Sequence, residues 1–362
     1  MFSANSAWNL ANFRAPLIRA AVADGCRVVA AAGPDGSEGR LLALGAEFVP
    51  LPISAAGRNP LADVRLLAAY RRLLRSVRPD VLLTFTIKPN IYGPLAARGL
   101  AVRVLPTVSG LGSAFLAGGG LGRLIDRLYR AAFATAARVI FQNGDDRALF
   151  VERGLVEGQR TRLVPGSGVD LAHFAPVPLP AGPTPVFLFV GRLLRDKGLR
   201  ELAEAGTILR KRGILADIRL VGPFGPDNPA AVTEAEVARW AADGSCDYLG
   251  PTDDVRTAIA AADCIVLPSY REGLPRSLLE GAAMGRALIA TDVPGCRDVV
   301  EPGVSGFLCA PRSGEVLAEA MARMAKLTAA ERAAMGQAAR ARVERDYSIE
   351  QVVAAYRQEW LR

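Results

Sequence analysis

Short runs of apolar and β-branched residues alternate with longer stretches of helical spacing along the whole chain, a pattern that predicts βαβ units and parallel sheets. In the first half the runs fall at 27–31, 47–51, 80–86, 102–107 and 138–142, with amphipathic stretches such as 61–77 between them. Residues 171–185, LAHFAPVPLPAGPTP, hold five prolines and no period, and read as a linker. The pattern restarts at 186–190 and continues with strands at 217–221, 264–267, 287–291 and 306–308. The expected organisation is α/β: a Rossmann-like domain over 1–170, the linker over 171–185, and a second Rossmann-like domain over 186–345. A terminal helical segment, 346–362, is expected to pack back across the domains. Two doubly wound domains of this kind are expected to face a cleft, with ligands beyond the carboxyl ends of the strands. No apolar run precedes Ser3-Ala4-Asn5-Ser6, so a first strand there is expected to be short or missing.

Composition narrows the chemistry. The chain has 362 residues, 51% hydrophobic and 22% charged, which is enough apolar material for two cores and too much for a disordered chain. Its five cysteines, Cys26, Cys246, Cys264, Cys296 and Cys309, are widely spaced and form no Cys-x-x-Cys pair. That spacing suits a reducing compartment and argues against a disulfide frame or zinc site. His173 is the only histidine, so catalysis must draw on carboxylates, cations and backbone dipoles, and no metal is expected. The N-terminus lacks the basic and apolar regions of a signal peptide. The uncharged run 104–122 has the length of a membrane span, but six of its residues are glycine, and it reads as a strand followed by an apolar loop.

The charge is uneven. Residues 1–170 carry 21 Lys+Arg against 12 Asp+Glu, whereas 171–362 carry 23 against 24. A basic half suits an anionic surface, either nucleic acid or the cytoplasmic face of a membrane. With 6% aromatic residues and no RNA-binding signature, no nucleic-acid partner is expected. Arg71, Arg75 and Arg78 share one face of the 61–77 stretch, where a solvated surface and a phospholipid contact both fit. The loop Leu111 to Leu121, Phe115 included, fits either the bilayer surface or a buried position.

Two loops concentrate the candidate chemistry. The first, Gly191-Arg192-Leu193-Leu194-Arg195-Asp196-Lys197-Gly198, joins a strand to a helix N-terminus, where backbone N–H groups and the helix dipole suit phosphate. Arg192 offers a planar fork and Lys197 a mobile point charge, a pair suited to a leaving diphosphate. Neither a Walker loop nor a dinucleotide fingerprint is present. The second loop follows 264–267 and carries Glu272, Gly273, Leu274 and Pro275, with Glu280 in the next helix. Its carboxylates suit sugar hydroxyls, its N–H groups suit phosphate, and Pro275 fits a first helical position. In the first half, Lys88 and Asn90 at the end of a strand, with Asn5 and Ser6, are candidate polar contacts to a substrate. The pairs Asp145-Asp146 and Asp253-Asp254 read as helix caps.

The stretch Arg271-Glu272-Gly273-Leu274-Pro275 to Glu280, continuing through Met284 to Val300 and Gly303 to Leu308, resembles family-four retaining glycosyltransferases of the GT-B fold. Gly191-Arg192-Leu193 to Lys197-Gly198 and Gly168-Val169-Asp170 to Phe174 match the same family in the same order. Thr84 to Gly93 and Thr107 to Gly112 resemble its bacterial polysaccharide subgroup, which extends undecaprenyl-diphosphate-linked sugars. The resemblance implies a hexosyl or N-acetylhexosaminyl transferase peripherally attached to the inner face of the cell membrane. It implies a nucleotide sugar, UDP-linked, as donor, a lipid-diphosphate-linked glycan as acceptor, and no cofactor or metal. Arg192 and Lys197 would hold the diphosphate, Glu272 the donor-sugar hydroxyls, Gly191, Gly273 and Leu274 backbone contacts, and Glu280 the ribose. Relatives often carry a histidine in the first domain, and this chain has none there. Two alternatives share the architecture: a nucleotide-sugar epimerase and a non-catalytic partner of another glycosyltransferase.

Overall fold

In the computed structural model, which describes residues 1–53, 59–111, 115, 119–225, 228 and 230–361, the apolar runs become strands of two parallel sheets. The chain forms two units, Met1–Ser167 with Glu350–Arg362, and Gly168–Ile349. No helix among the described residues is long and apolar enough to cross a membrane.

The first unit holds β1 (Phe2–Ser6), β2 (Val29–Gly33), β3 (Glu47–Pro50), β4 (Val81–Phe85), β5 (Arg103–Val108), β6 (Val139–Phe141) and β7 (Thr161–Leu163), in the order β3-β2-β1-β4-β5-β6-β7. Alternation divides the side chains between two faces. Val29, Ala31, Leu82 and Val104 pack against Leu66, Tyr70 and Leu74 of helix Pro60–Val77. Ala30, Ala32, Leu83 and Phe85 pack on the other side with Val352 and Tyr356 of helix Ile349–Trp360. That last helix is pinned by Glu359, which is fully buried and receives Arg103 at 2.7 Å, Arg162 at 2.9 Å and Arg138 at 3.5 Å. A carboxylate without water needs such partners.

Three expectations for this unit are corrected. A first strand is present, and it lies in the middle of the sheet between β2 and β4. Its polar Ser3 hides the period, because the buried hydroxyl bonds Ala31 O and Tyr70 OH, each at 2.7 Å. Arg71 does not share a free face with Arg75, since its guanidinium donates to Ala96 O at 2.6 Å and to Arg98 O. Phe115 is buried, stacked on Phe150 at 5.0 Å, and so does not meet a bilayer. The rest of that apolar loop, 112–114 and 116–118, lies outside the described residues.

The second unit holds β8 (Val186–Val190), β9 (Asp217–Val221), β10 (Asp247–Tyr248), β11 (Cys264–Leu267), β12 (Ala287–Thr291) and β13 (Gly306–Cys309), in the order β10-β9-β8-β11-β12-β13. The proline-rich segment is not a free tether but lies along this unit. Prolines cannot donate, so the segment's carbonyls need donors from elsewhere. The buried Arg286 supplies them to Val177 O at 2.6 Å and Pro178 O at 2.9 Å, and Arg340 reaches Phe174 O at 3.0 Å. In each sheet the strand order reverses once, between β1 and β4 and between β8 and β11. Crevices for ligands open at the carboxyl ends of such pairs.

Candidate functional site

Both candidate loops leave the carboxyl ends of β8 and β11, the strands that flank the switch point of the second sheet. From β8 the chain passes through Gly191 and a single 3₁₀ turn, Arg195–Lys197, to Gly198 and helix Leu199–Lys211. Gly198 has φ of 73°, and a Cβ there would lie 2.1 Å from Pro268 O. Only glycine accepts that conformation and that contact together. The close approach carries Lys197 to the loop after β11, where Nζ lies 2.5 Å from Glu272 Oε1. Tyr270 N donates to Asp196 O at 2.9 Å and joins the two loops through their backbones.

Glu272 is held from several sides. Ser269 Oγ donates to Oε1 at 2.6 Å, while Oε2 has no partner among the described residues. Its backbone N–H donates to Pro294 O at 3.2 Å. Gly295, with φ of 82°, passes so close that a Cβ would lie 2.7 Å from Glu272 O and Gly273 O. Thr291 Oγ1 donates to Ser269 O, so the serine that steadies the carboxylate is itself fixed. Tyr270 donates to Glu201 at 2.6 Å and lies under the Arg312 guanidinium. Burial and the Glu201 bond push its phenol up to about 12.

Arg192, five positions before Lys197 in the same loop, is exposed and makes no ion pair among the described residues. The Leu274 amide donates to no group among the described residues, although its side chain is buried in the core. Pro275 sits one position earlier than expected, at the N-cap of helix Arg276–Ala283. Within that helix Glu280 is buried, 2.7 Å from Arg276. Burial raises its pKa above the usual carboxylate range, and the Arg276 and His173 charges offset this only in part. The structure brings Lys197 and Glu272 together, and the same two loops carry Arg192 and the Leu274 amide, with Glu280 buried in the following helix; cations and free amides suit anions and carboxylates suit hydroxyls.

Residues that sequence reasoning missed here are Ser269, Tyr270, Thr291 and Gly295. Ser269, Tyr270 and Thr291 act through hydroxyls whose partners only folding identifies, and only the glycine leaves a sequence trace, as a turn signal in Val293-Pro294-Gly295.

The four candidate substrate contacts in the first unit fare differently. Asn90 is buried and spent: it accepts from Thr84 Oγ1 and donates to Thr107 O, each at 2.8 Å. Lys88 lies in the first turn of helix Ile87–Ala97, 2.9 Å from Asp63. Ser6 caps helix Ala7–Phe13 by accepting from Asn9 N at 3.2 Å. Asn5 alone of the four keeps a buried side-chain oxygen without a partner among the described residues. The acidic pairs lie at helix starts, but Asn143 is the actual cap before Asp145 and Asp146, and Asp254 holds Arg256 N at 3.0 Å. No group of three or more His, Cys, Asp or Glu residues is gathered among the described residues.

Residues 11–166 match the family described as glycosyl transferase 4-like domain, and residues 184–326 match glycosyl transferases group 1. The chain is similar to the N,N'-diacetylbacillosaminyl-diphospho-undecaprenol alpha-1,3-N-acetylgalactosaminyltransferase of Campylobacter jejuni, with 27% identity over 88% of this chain and 87% of the relative. It is also similar to the UDP-Gal:alpha-D-GlcNAc-diphosphoundecaprenol alpha-1,3-galactosyltransferase of Escherichia coli, with 25% identity over 68% and 67% of the two chains. Among solved structures, sucrose-phosphate synthase from Thermosynechococcus elongatus superposes with a TM-score of 0.82 at 21% identity, over 99% of this chain and 97% of that one. Anabaena HepE in complex with UDP gives 0.78 at 18% identity, over 99% and 98%. These likenesses establish the GT-B fold.

Proposed function

Because the chain belongs to the glycosyltransferases that join a 4-like domain to a group 1 domain, we propose that its second unit binds a UDP-sugar and transfers the sugar, with retention, to an undecaprenyl-diphosphate-linked glycan. The Lys197–Glu272 pair at the β8/β11 switch point carries this reading, since it sets a cation and a hydroxyl-binding carboxylate side by side. Lys197 and Arg192 take the diphosphate and neutralise the charge that grows on it, the task a metal performs elsewhere, so no metal is required. Glu272 Oε2 receives donor-sugar hydroxyls, Leu274 N–H a phosphate or sugar oxygen, and Glu280 the ribose hydroxyls. In the step itself the bond from sugar C1 to the phosphate oxygen breaks. The acceptor oxygen bonds to C1 from the same face, and its proton passes to the departing phosphate oxygen. The relatives' undecaprenyl-linked acceptors and the basic first half of the chain favour peripheral attachment to the membrane face where such lipids lie.

The test is transfer from a panel of UDP-sugars to polyprenyl-diphosphate-linked N-acetylhexosamines, with the product's anomeric configuration read by NMR. Retained configuration and full activity in EDTA are expected. An inverted product, or loss of activity restored by magnesium, would overturn the corresponding part.

Glu280 gives a second prediction, in which pH matters. Its raised pKa means that the folded state holds the proton to higher pH than the unfolded chain, whose carboxyl titrates near 4.5. Between these values the folded state binds more protons, so stability falls as the pH rises through the raised value. Glu280→Gln is therefore expected to melt above the wild type at pH 7.5, by a margin that shrinks toward pH 4.5. It should also lose most of the rise in midpoint that UDP confers. Melting curves across pH, with and without UDP, measure both effects.

A further inference from the structure

Tyr270 grips the chain on both sides of Lys197. Its backbone N–H donates to Asp196 O at 2.9 Å, just before the lysine, and its hydroxyl donates to Glu201 Oε1 at 2.6 Å, four positions after it. Glu201 stands in the first turn of helix Leu199–Lys211, where the positive end of the helix dipole favours a carboxylate. The neighbouring Ser269 donates to Glu272 Oε1 at 2.6 Å, the oxygen that Lys197 Nζ approaches. One dipeptide therefore holds both partners of the ion pair, the carboxylate through the serine and the lysine's turn through the tyrosine.

The tyrosine's surroundings carry two local penalties. Glu201 Oε2 is covered and has no hydrogen-bond partner among the described residues, and a buried acceptor left unmet is destabilising. Arg312, whose guanidinium lies 4.4 Å from the centre of the Tyr270 ring, has φ of 64°, in the left-handed region that glycine alone adopts freely. Neither Glu201 nor Arg312 makes an ion pair among the described residues, so the tyrosine has a cation on its ring face and a carboxylate at its hydroxyl. Burial, and then the Glu201 bond, keep the phenol protonated up to about 12, so it remains a donor across the pH range in which enzymes work. Backbone strain and an unmet acceptor gathered around one side chain suit a functional constraint better than a stabilising one.

We propose that Tyr270 and Glu201 are positioning residues, which, with Arg312 on the ring, set the register of Lys197 against Glu272 and thereby the rate of transfer. The effect on rate rests on the reaction proposed above, whereas the register itself does not.

Lysine is scarce enough for that register to be read without turnover. The chain has four lysines, Lys88, Lys197, Lys211 and Lys326, so carbon-13 at lysine Cε gives few NMR signals, and the one missing in Lys197→Ala belongs to Lys197. Breaking the pair in Glu272→Gln displaces that signal and marks the unpaired position. Tyr270→Phe and Glu201→Leu are expected to displace it toward the same position, and Glu201→Gln, which can still accept from the phenol, to displace it little. A Lys197 signal unmoved in Tyr270→Phe would overturn the proposal, since a residue that only supports the fold lowers the melting temperature and leaves the signal in place.

Rates complete the test, at a temperature where every variant is folded. Tyr270→Phe should lower kcat about ten-fold and leave the donor KM within about two-fold, the mark of a misplaced group rather than a lost contact. Glu201→Gln should recover most of the loss seen in Glu201→Leu, and Tyr270→Phe combined with Glu201→Leu should be little slower than the slower single variant. Multiplicative losses, or an unchanged kcat in Tyr270→Phe, would overturn the link to transfer. Arg312→Gly relieves the left-handed φ while removing the guanidinium, so it should melt no lower than the wild type and still transfer more slowly. A lower melting temperature with unchanged kcat would make Arg312 a support of the fold and overturn its part in the register. A wild type that transfers no sugar would defeat the transfer reading, and the Lys197 signal would still decide the register.

Discussion

Lys197→Ala is expected to lower kcat for sugar transfer by about 10²–10³-fold, the usual cost of removing one preorganised group from a site where charge develops. The ammonium lies against Glu272 at the carboxyl end of β8, held there by the 3₁₀ turn and the Gly198 contact, so it needs no reorganisation when the donor diphosphate begins to leave. Arg192 remains in the variant and keeps part of the nucleotide affinity, so the loss should fall more on kcat than on the donor KM. The fold should survive, because this is a partly exposed pair, with side-chain exposures of 21% and 13%, and such pairs contribute about 1 kcal/mol or less. Glu272→Gln should behave differently, retaining UDP affinity while losing transfer, if the carboxylate holds the donor sugar as proposed. Initial rates with calorimetric titration of UDP distinguish the two. Near-normal kcat in Lys197→Ala would remove the lysine from the leaving-group role.

The second sheet was legible almost to the residue. Strands such as Val186–Val190 and Cys264–Leu267 are buried on both faces and therefore appear as unbroken apolar runs. β1 was not legible, because Ser3 occupies an interior position whose hydroxyl is satisfied by Tyr70, a residue far away in sequence. The two-residue β10 is too short to leave a pattern. Lys197 and Glu272 lie in strand-loop-helix junctions with distinctive turn residues, which is why the sequence draws attention to both loops, and the structure brings the two side chains together. Asn90 occupies the same kind of junction, yet its side chain turns inward to Thr84 and Thr107. Sequence position fixes which end of a strand a residue occupies, and packing decides whether its side chain meets solvent or a neighbour.

Gly198→Ala is expected to have the largest combined effect on stability and activity. The new Cβ would meet Pro268 O at 2.1 Å and Pro268 C at 2.8 Å, backbone atoms that no rotamer change can move aside. The φ of 73° adds strain for any L side chain, and together these should cost about 3 kcal/mol in urea unfolding. Gly213, just past the other end of the same helix, provides the control. Its φ is 68°, but nothing lies within 4 Å of its Cβ position, so Gly213→Ala bears the conformational cost without the collision. The difference between the two variants therefore measures the contact between the loops. Relief of that collision must move the loop after β8 away from Pro268, and with it Lys197 from Glu272, so transfer should fall even at temperatures where the variant is fully folded. If both substitutions act through the same lost pair, Gly198→Ala combined with Lys197→Ala should be little slower than the slower single variant, rather than showing the product of the two losses. Multiplicative rates would mean that Gly198 supports the fold alone and that the lysine is positioned by other parts of the loop.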